Sequence, residues 1–231
     1  MKCVILQPSY IPWRGYFHQI FKADVFVFYD DVQYDKNGWR NRNLIKTAQG
    51  LQWLTIPVKT KGIISENIPI NQTPVAWDKP WNAHHWRGIQ FAYKKSPFFN
   101  KFVEYFSDVY SRKPDFLSEF TIQTTIEISN LLGIKATNFL KSSELGNLTG
   151  EKTDRLIEIL NIVGADHYIS GPAAREYIEK EKFEKAGIEL EYMNYEYPEY
   201  PQLYPPFEPK VSIIDLLFMT GPEALKYITG E

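Results

Sequence analysis

Four stretches of this sequence concentrate side chains that can hold an anion or move a proton. The first is ILQPSYIPWRGYFHQI (5–20), where Gln7, Tyr10, Trp13, Arg14, Tyr16 and His18 crowd a segment broken by Pro8, Pro12 and Gly15. An apolar strand running into this segment, and the segment into a helix, puts it after a strand's carboxyl end, where open α/β sheets bind ligands. Free amides and the dipole at a helix start favour phosphate or carboxylate. There Gly15 permits close backbone approach and Arg14 supplies a charge-assisted fork. The same glycine and prolines would also serve a plain strand-to-helix turn.

The second stretch is DDVQYDKNGWRNRN (30–43). Asp30 and Asp31 are a carboxylate pair able to hold a metal or to act as base and electrostatic partner. Alternation along a strand over 39–46 sends Trp39, Asn41 and Asn43 to one face and Arg40 and Arg42 to the other, so that the two arginines grip phosphate together. A solvated polar hairpin accounts for the same residues without a ligand. In the third stretch, HHWR (84–87), His84 and Arg87 share a helical face while His85 points elsewhere. Imidazole is the natural acid or base near neutral pH, although adjacent histidines also occur in packing or surface roles. The fourth, SGPAAR (170–175), follows a strand. It offers Ser170, Gly171 and Arg175 at a second helix start, or else a simple turn. No GxSxG elbow, Walker loop, HxxxH or CxxC spacing occurs, so no metal site is expected and no cofactor is identified.

The elements that must position these residues follow from periodicity. Lys2–Leu6 reads as a buried strand, 13–23 as a helix and Val25–Tyr29 as a strand, which together make a βαβ unit. Segments 39–46 and 51–58 form a hairpin through Gln49-Gly50, and a short strand is expected at 66–70. Helices are expected at 82–94, 97–110 and 115–132, the last ending at Gly133. Strands near 136–140, 167–170 and 188–194 alternate with helices at 151–163 and 173–182. A Tyr/Pro-rich tail then leads to short helices around 213–218 and 222–228. This order predicts one α/β domain over 1–231, a three-layer Rossmann-like arrangement with a mostly parallel sheet. Residues 39–110 are expected as an inserted hairpin and helical cap.

Bulk composition narrows the class. A chain of 231 residues with 44% apolar and 23% charged residues can build a full core. A net charge of −2 without a basic run argues against a nucleic-acid-coating surface. Cys3 is the one cysteine, mid-strand and inert. With no apolar run near 20 residues, a cytoplasmic chain without a membrane span is expected. Aromatics reach 16%, which serves an aromatic core and leaves some rings to wall a pocket for a flat ligand. Oligomeric state is not readable from these features.

The segments QPSYIPWRGYFHQIFKADVFVFYDDVQYDKNGWRNRN, HHWRGIQFAYKKSPFF, GADHYISGPAAREYI and PQLYPPFEPKVSIIDLLF resemble the WbqC-like family over nearly the whole chain. The resemblance implies a role in bacterial O-antigen or other surface-glycan biosynthesis. It implies action on a nucleotide-linked or modified amino sugar, with an acyl or aminoacyl group transferred. It supplies no catalytic residue. A lesser likeness is to HIGH-type nucleotidyltransferases, whose motif glycine would match Gly15. Trp13 and Tyr16 depart from that motif, and His18 stands two places late.

The combined expectation is a small phosphorylated or nucleotide-linked substrate. Its phosphates meet Arg14, Gly15, Arg40 and Arg42, its ring is walled by Trp13, Tyr16 and Trp39, and His84 or His85 with Asp30 or Asp31 moves protons. The alternatives are a nucleotidyltransferase-like enzyme and a non-catalytic glycan-assembly scaffold.

Overall fold

The computed structural model describes residues 1–36, 38–59 and 67–230. Its centre is a five-stranded, wholly parallel sheet. The strands are β1 (Lys2–Leu6), β2 (Val25–Phe28), β5 (Asn138–Lys141), β6 (His167–Ser170) and β7 (Glu189–Tyr192). Their order across the sheet is β5-β2-β1-β6-β7, so the chain winds outward from β1 in one direction and, after β5, returns to build the other half. That reversal beside the first strand is the topological switch of doubly wound folds.

Both sheet faces are covered, and side-chain alternation divides the core accordingly. Val4, Phe26 and Phe28 point into one buried cluster with Phe17 and Ile20 of α1 (Arg14–Lys22). Cys3, Ile5, Val25 and Val27 point into a second cluster with Leu156, Ile159 and Leu160 of α5 (Lys152–Val163) and Phe183 of α6 (Lys180–Ala186). Helix, sheet and helix give the three layers expected. Helix α5 stops where the periodicity ended, because Gly164 adopts a left-handed φ of 73° that closes its last carbonyls.

The middle of the chain adds a two-stranded antiparallel ribbon, β3 (Arg42–Thr47) and β4 (Gly50–Thr55). Helices α2 (Trp81–Tyr93), α3 (Phe99–Val109) and α4 (Leu117–Leu131) follow. Ile45, Leu54, Ile89, Phe102 and Phe106 from this region belong to the same buried cluster as Val4 and Phe26. Helix α7 (Ile213–Thr220) is buried on every side, and α8 (Lys226–Thr229) packs near α1.

Several boundaries differ from the periodicity. The first hairpin strand begins at Arg42, leaving Trp39, Arg40 and Asn41 in a non-strand lead-in. The predicted helix over 173–182 is instead a 3-10 turn at Pro172–Glu176 followed by α6 from Lys180. The predicted helix over 222–228 likewise divides into a 3-10 turn at Gly221–Glu223 and α8. Of the strand expected at 66–70, residue 66 lies outside the described residues, and the rest contributes one bridge, Pro69 to Gln33. Asn37 also lies outside them.

Candidate functional site

Strands β1 and β6 share only two register pairs, Lys2 with His167 and Cys3 with Tyr168, before their carboxyl ends part. A cavity of about 530 Å³ opens there, at the switch point. Leu6 lines it at the end of β1, Gln7, Ser9 and Pro12 in the loop that follows, Trp13 at the cap of α1, and Tyr16 and Gln19 within that helix. Trp39 and Arg40 come from the hairpin lead-in, Asn43 from the start of β3, Ala173 from the turn after β6, and Tyr195 and Lys210 from the tail.

The loop after β1 is held against the hairpin by a ladder of bonds. The Tyr10 amide donates to the Trp39 carbonyl at 3.1 Å. Asn43 Nδ2 donates to the carbonyls of Tyr10 and Ile11 at 3.0 and 2.9 Å. The Gln7 carbonyl accepts from Arg40 Nη1 and from the Tyr16 hydroxyl, both at 3.1 Å. This clamp holds Ile11 at a φ of 37°, a region β-branched residues avoid and one typical of functional loops. From the other side, the Ile213 amide donates to the Pro12 carbonyl, tying the tail to the same loop.

The lining is aromatic and positively biased. Arg40 and Lys210 are its charged members, and among the described residues no Asp, Glu or His lines it. Burial pulls the Arg40 guanidinium below its ordinary value, while Tyr16 and Asp35 act in the opposite direction. Arg40 Nε is buried without a hydrogen-bond partner among the described residues. Trp13 meets Tyr195 edge-on, with centroids 5.0 Å apart. Gly15 owes its identity to this indole: a Cβ there would lie 2.3 Å from Trp13 Cζ2. The space beside Gly15, expected to admit a phosphate, is thus filled by the chain's own tryptophan.

Of the residues singled out in the sequence, Gln7, Trp13, Tyr16, Trp39, Arg40 and Asn43 come together in this cavity. Others are engaged elsewhere. Arg14 is 4% exposed: its Nη1 donates to the carbonyls of Pro198 and Tyr227, and its guanidinium lies over Tyr197. His18 Nδ1 bonds the Tyr197 hydroxyl at 2.9 Å, and burial lowers its pKa. Arg42 packs over Trp53 at 4.6 Å, so the two arginines do not line the cavity as a pair. Asn41 donates to the Ile56 carbonyl. Ser170 is buried, Gly171 opens the 3-10 turn and Arg175 lies over Tyr192. That turn is too short to present the helix start expected there.

The proposed acid–base residues lie outside the cavity. His85 is 7% exposed: its Nδ1 is 2.8 Å from the Tyr10 hydroxyl, which lies 2.6 Å from the Tyr110 hydroxyl. Burial lowers the His85 pKa to about 4, with the Thr55 backbone acting in the opposite direction. Tyr10 is fully buried. His84 is exposed in the first turn of α2.

Asp30 and Asp31 sit at the end of β2. Asp30 accepts from the Ser143 amide and hydroxyl and from Ser142 Oγ, while Asp31 accepts from Ser142 Oγ and Arg155 Nη2. Asp30 faces a separate cavity of about 620 Å³ beside α4. The rim on which Arg14, Arg40 and His84 were expected to converge is therefore not formed. Arg40 reaches the crevice; the other two serve different surfaces.

Ser9, Gln19, Tyr195 and Lys210 line the cavity without having been singled out. The Tyr/Pro-rich tail was a usable signal for the last two, since so costly a loop composition asks for a role. Nothing local marks Gln19, one polar residue in an amphipathic helix. Among the described residues no group of three or more His, Cys, Asp or Glu could hold a metal ion, and no helix is long and apolar enough to cross a membrane.

Comparison with known proteins adds the following. The model of a family described as the WbqC-like protein family matches residues 7–227. An uncharacterized protein of Mycobacterium tuberculosis (strain ATCC 25618 / H37Rv), Rv1507c, is 39% identical over 229 residues, covering 98% of this chain and 97% of its own. No solved structure gives a significant match.

Proposed function

The chain belongs to the WbqC-like protein family, and from that premise and the crevice geometry we propose that it binds a nucleotide-linked or modified amino sugar and serves bacterial surface-glycan assembly. One observation carries the reading. A cavity at the topological switch point is walled by Trp13, Tyr16, Trp39 and Tyr195, and it holds Arg40 and Lys210 with no acidic side chain among the described residues of its lining. Aromatic walls suit a ring, and two cations in a partly desolvated site suit its phosphate or carboxylate. Acyl or aminoacyl transfer there works by positioning the reactants and by stabilising developing negative charge with Arg40 and Lys210.

A second reading, binding without turnover, is favoured by one feature. Among the described residues no carboxylate or imidazole lines the cavity, and its phenols stay protonated at neutral pH, because burial raises Tyr16 strongly and Tyr195 to about 12.

Calorimetric titration with UDP-N-acetylglucosamine, dTDP-glucose and uncharged N-acetylglucosamine tests the shared premise. Binding of at least one charged compound is expected, weakened roughly tenfold by Arg40→Ala or Lys210→Ala and by added salt. Equal affinity for charged and uncharged compounds would overturn it. Mass spectrometry after addition of an acyl-coenzyme A separates the two readings, because only the transferase yields an acylated product.

A further inference from the structure

We propose that the inner wall of the crevice recognises an amide: Gln19 and Tyr195 together read an N–H beside a C=O on the ligand whose anionic group meets Arg40 and Lys210. This rests on the anion-binding reading above and names the second group the ligand carries.

Gln19 stands one turn after Tyr16 on α1, lines the cavity and is 3% exposed. Its Nε2 donates to Tyr195 Oη at 2.8 Å, and its Oε1 has no hydrogen-bond partner among the described residues. A buried acceptor without a donor is unfavourable, and a leucine would fill the same wall without that cost. Tyr195 supplies the complementary half. Its hydroxyl accepts from Gln19 and so keeps its own proton for another acceptor. Burial holds that phenol protonated at neutral pH, and the edge-on contact with Trp13 fixes the ring.

One unpaired acceptor beside one available donor is the complement of a secondary amide or imide. A carboxylate or an ether oxygen accepts from the Tyr195 hydroxyl but leaves Gln19 Oε1 unpaired. Two ligand parts share this chemistry: an acetamido group on a sugar and the imide edge of a pyrimidine.

The test is calorimetry on the full chain with N-acetylglucosamine 1-phosphate, uridine 5′-monophosphate and glucose 1-phosphate. At least one of the first two is expected to bind roughly tenfold or more tighter than glucose 1-phosphate, because a site built to hydrogen-bond a group rejects the analogue lacking it. Whichever one does so identifies the source of the amide. Gln19→Leu is expected to bring that preference within about twofold, chiefly by weakening the amide-bearing compound. Tyr195→Phe keeps the ring in place and carries the same test should Gln19→Leu fail to fold.

Glucose 1-phosphate binding as tightly as both others, or a preference surviving both substitutions, would overturn the amide proposal and leave the anion reading intact. If no phosphate compound binds, or if Lys210→Ala and Arg40→Ala change nothing, the anion reading falls and the amide proposal with it.

Discussion

At the scale of single residues, two positions have roles that their types alone did not reveal. Gly15 is small because the Trp13 indole lies on it, 2.3 Å from where a Cβ would stand. Gly15→Ala must displace a rigid ring, and overpacking of this kind costs about 1–3 kcal/mol. The expected outcome is a lower urea midpoint together with weakened ligand binding, since the displaced indole is a cavity wall. An unchanged midpoint would show that the ring moves freely. His85 is sealed against Tyr10 and Tyr110 with its pKa lowered from 6.5 to about 4, chiefly by burial. Below pH 6.5 the unfolded chain takes up a proton that the folded chain refuses until about pH 4, so stability falls as pH drops through that window. The gap corresponds to about 3 kcal/mol. Denaturant titrations at pH 7.5 and 4.5 check this, and His85→Gln should flatten the difference. A wild-type stability independent of pH over that range would refute the sealed, neutral imidazole.

At the scale of elements, the loop after β1 is shaped less by its own prolines than by the hairpin beside it. Asn43, at the start of β3, gives both its amide hydrogens to the carbonyls of Tyr10 and Ile11, and its Oδ1 accepts from the Leu44 amide. This clamp holds Ile11 at positive φ. Asn43→Ala leaves two buried carbonyls without donors and is expected to cost about 1–3 kcal/mol. Calorimetry on the variant should also show weaker binding, because the relaxed loop carries Gln7, Ser9 and Pro12 away from the cavity. Full affinity in a destabilised variant would separate the clamp from the site. The clamp also explains why Trp39 and Arg40 are not in the strand that alternation predicted. Their carbonyl and guanidinium bond to the first loop, so the ladder with β4 begins at Arg42.

At the scale of the molecule, the tail completes both the core and the crevice. Helix α7 is buried on every side, and Ser212 bridges to Trp13 while donating its amide to the Leu44 carbonyl. Asp215 on α7 accepts from Tyr93 and Gln202, and Gln202 in turn accepts from Lys46, so tail, α2 and β3 share one buried polar network. A stop placed before Val211 should therefore prevent cooperative folding rather than trim an appendage. The check is loss of the thermal transition by circular dichroism together with rapid proteolysis. A shortened chain that still melts cooperatively would contradict the tail's place in the core.

The local pattern of residues was enough to specify the parallel strands, helices α1 and α5, the Gly164 stop and the loop after β1, because apolar period, β-branching and turn residues act within a few positions of one another. It also named Gln7, Trp13, Tyr16, Trp39, Arg40 and Asn43, whose density in polar and aromatic types was local. Tertiary structure decided which of the candidates share a surface. Arg14 and His18 turn toward the tail, His85 into the core, and Asp30 and Asp31 toward the serines after β5. Gln19, Tyr195 and Lys210 meet across a long stretch of chain. Such meetings depend on strand order and on where β1 and β6 part, and both are set by packing between segments far apart in sequence.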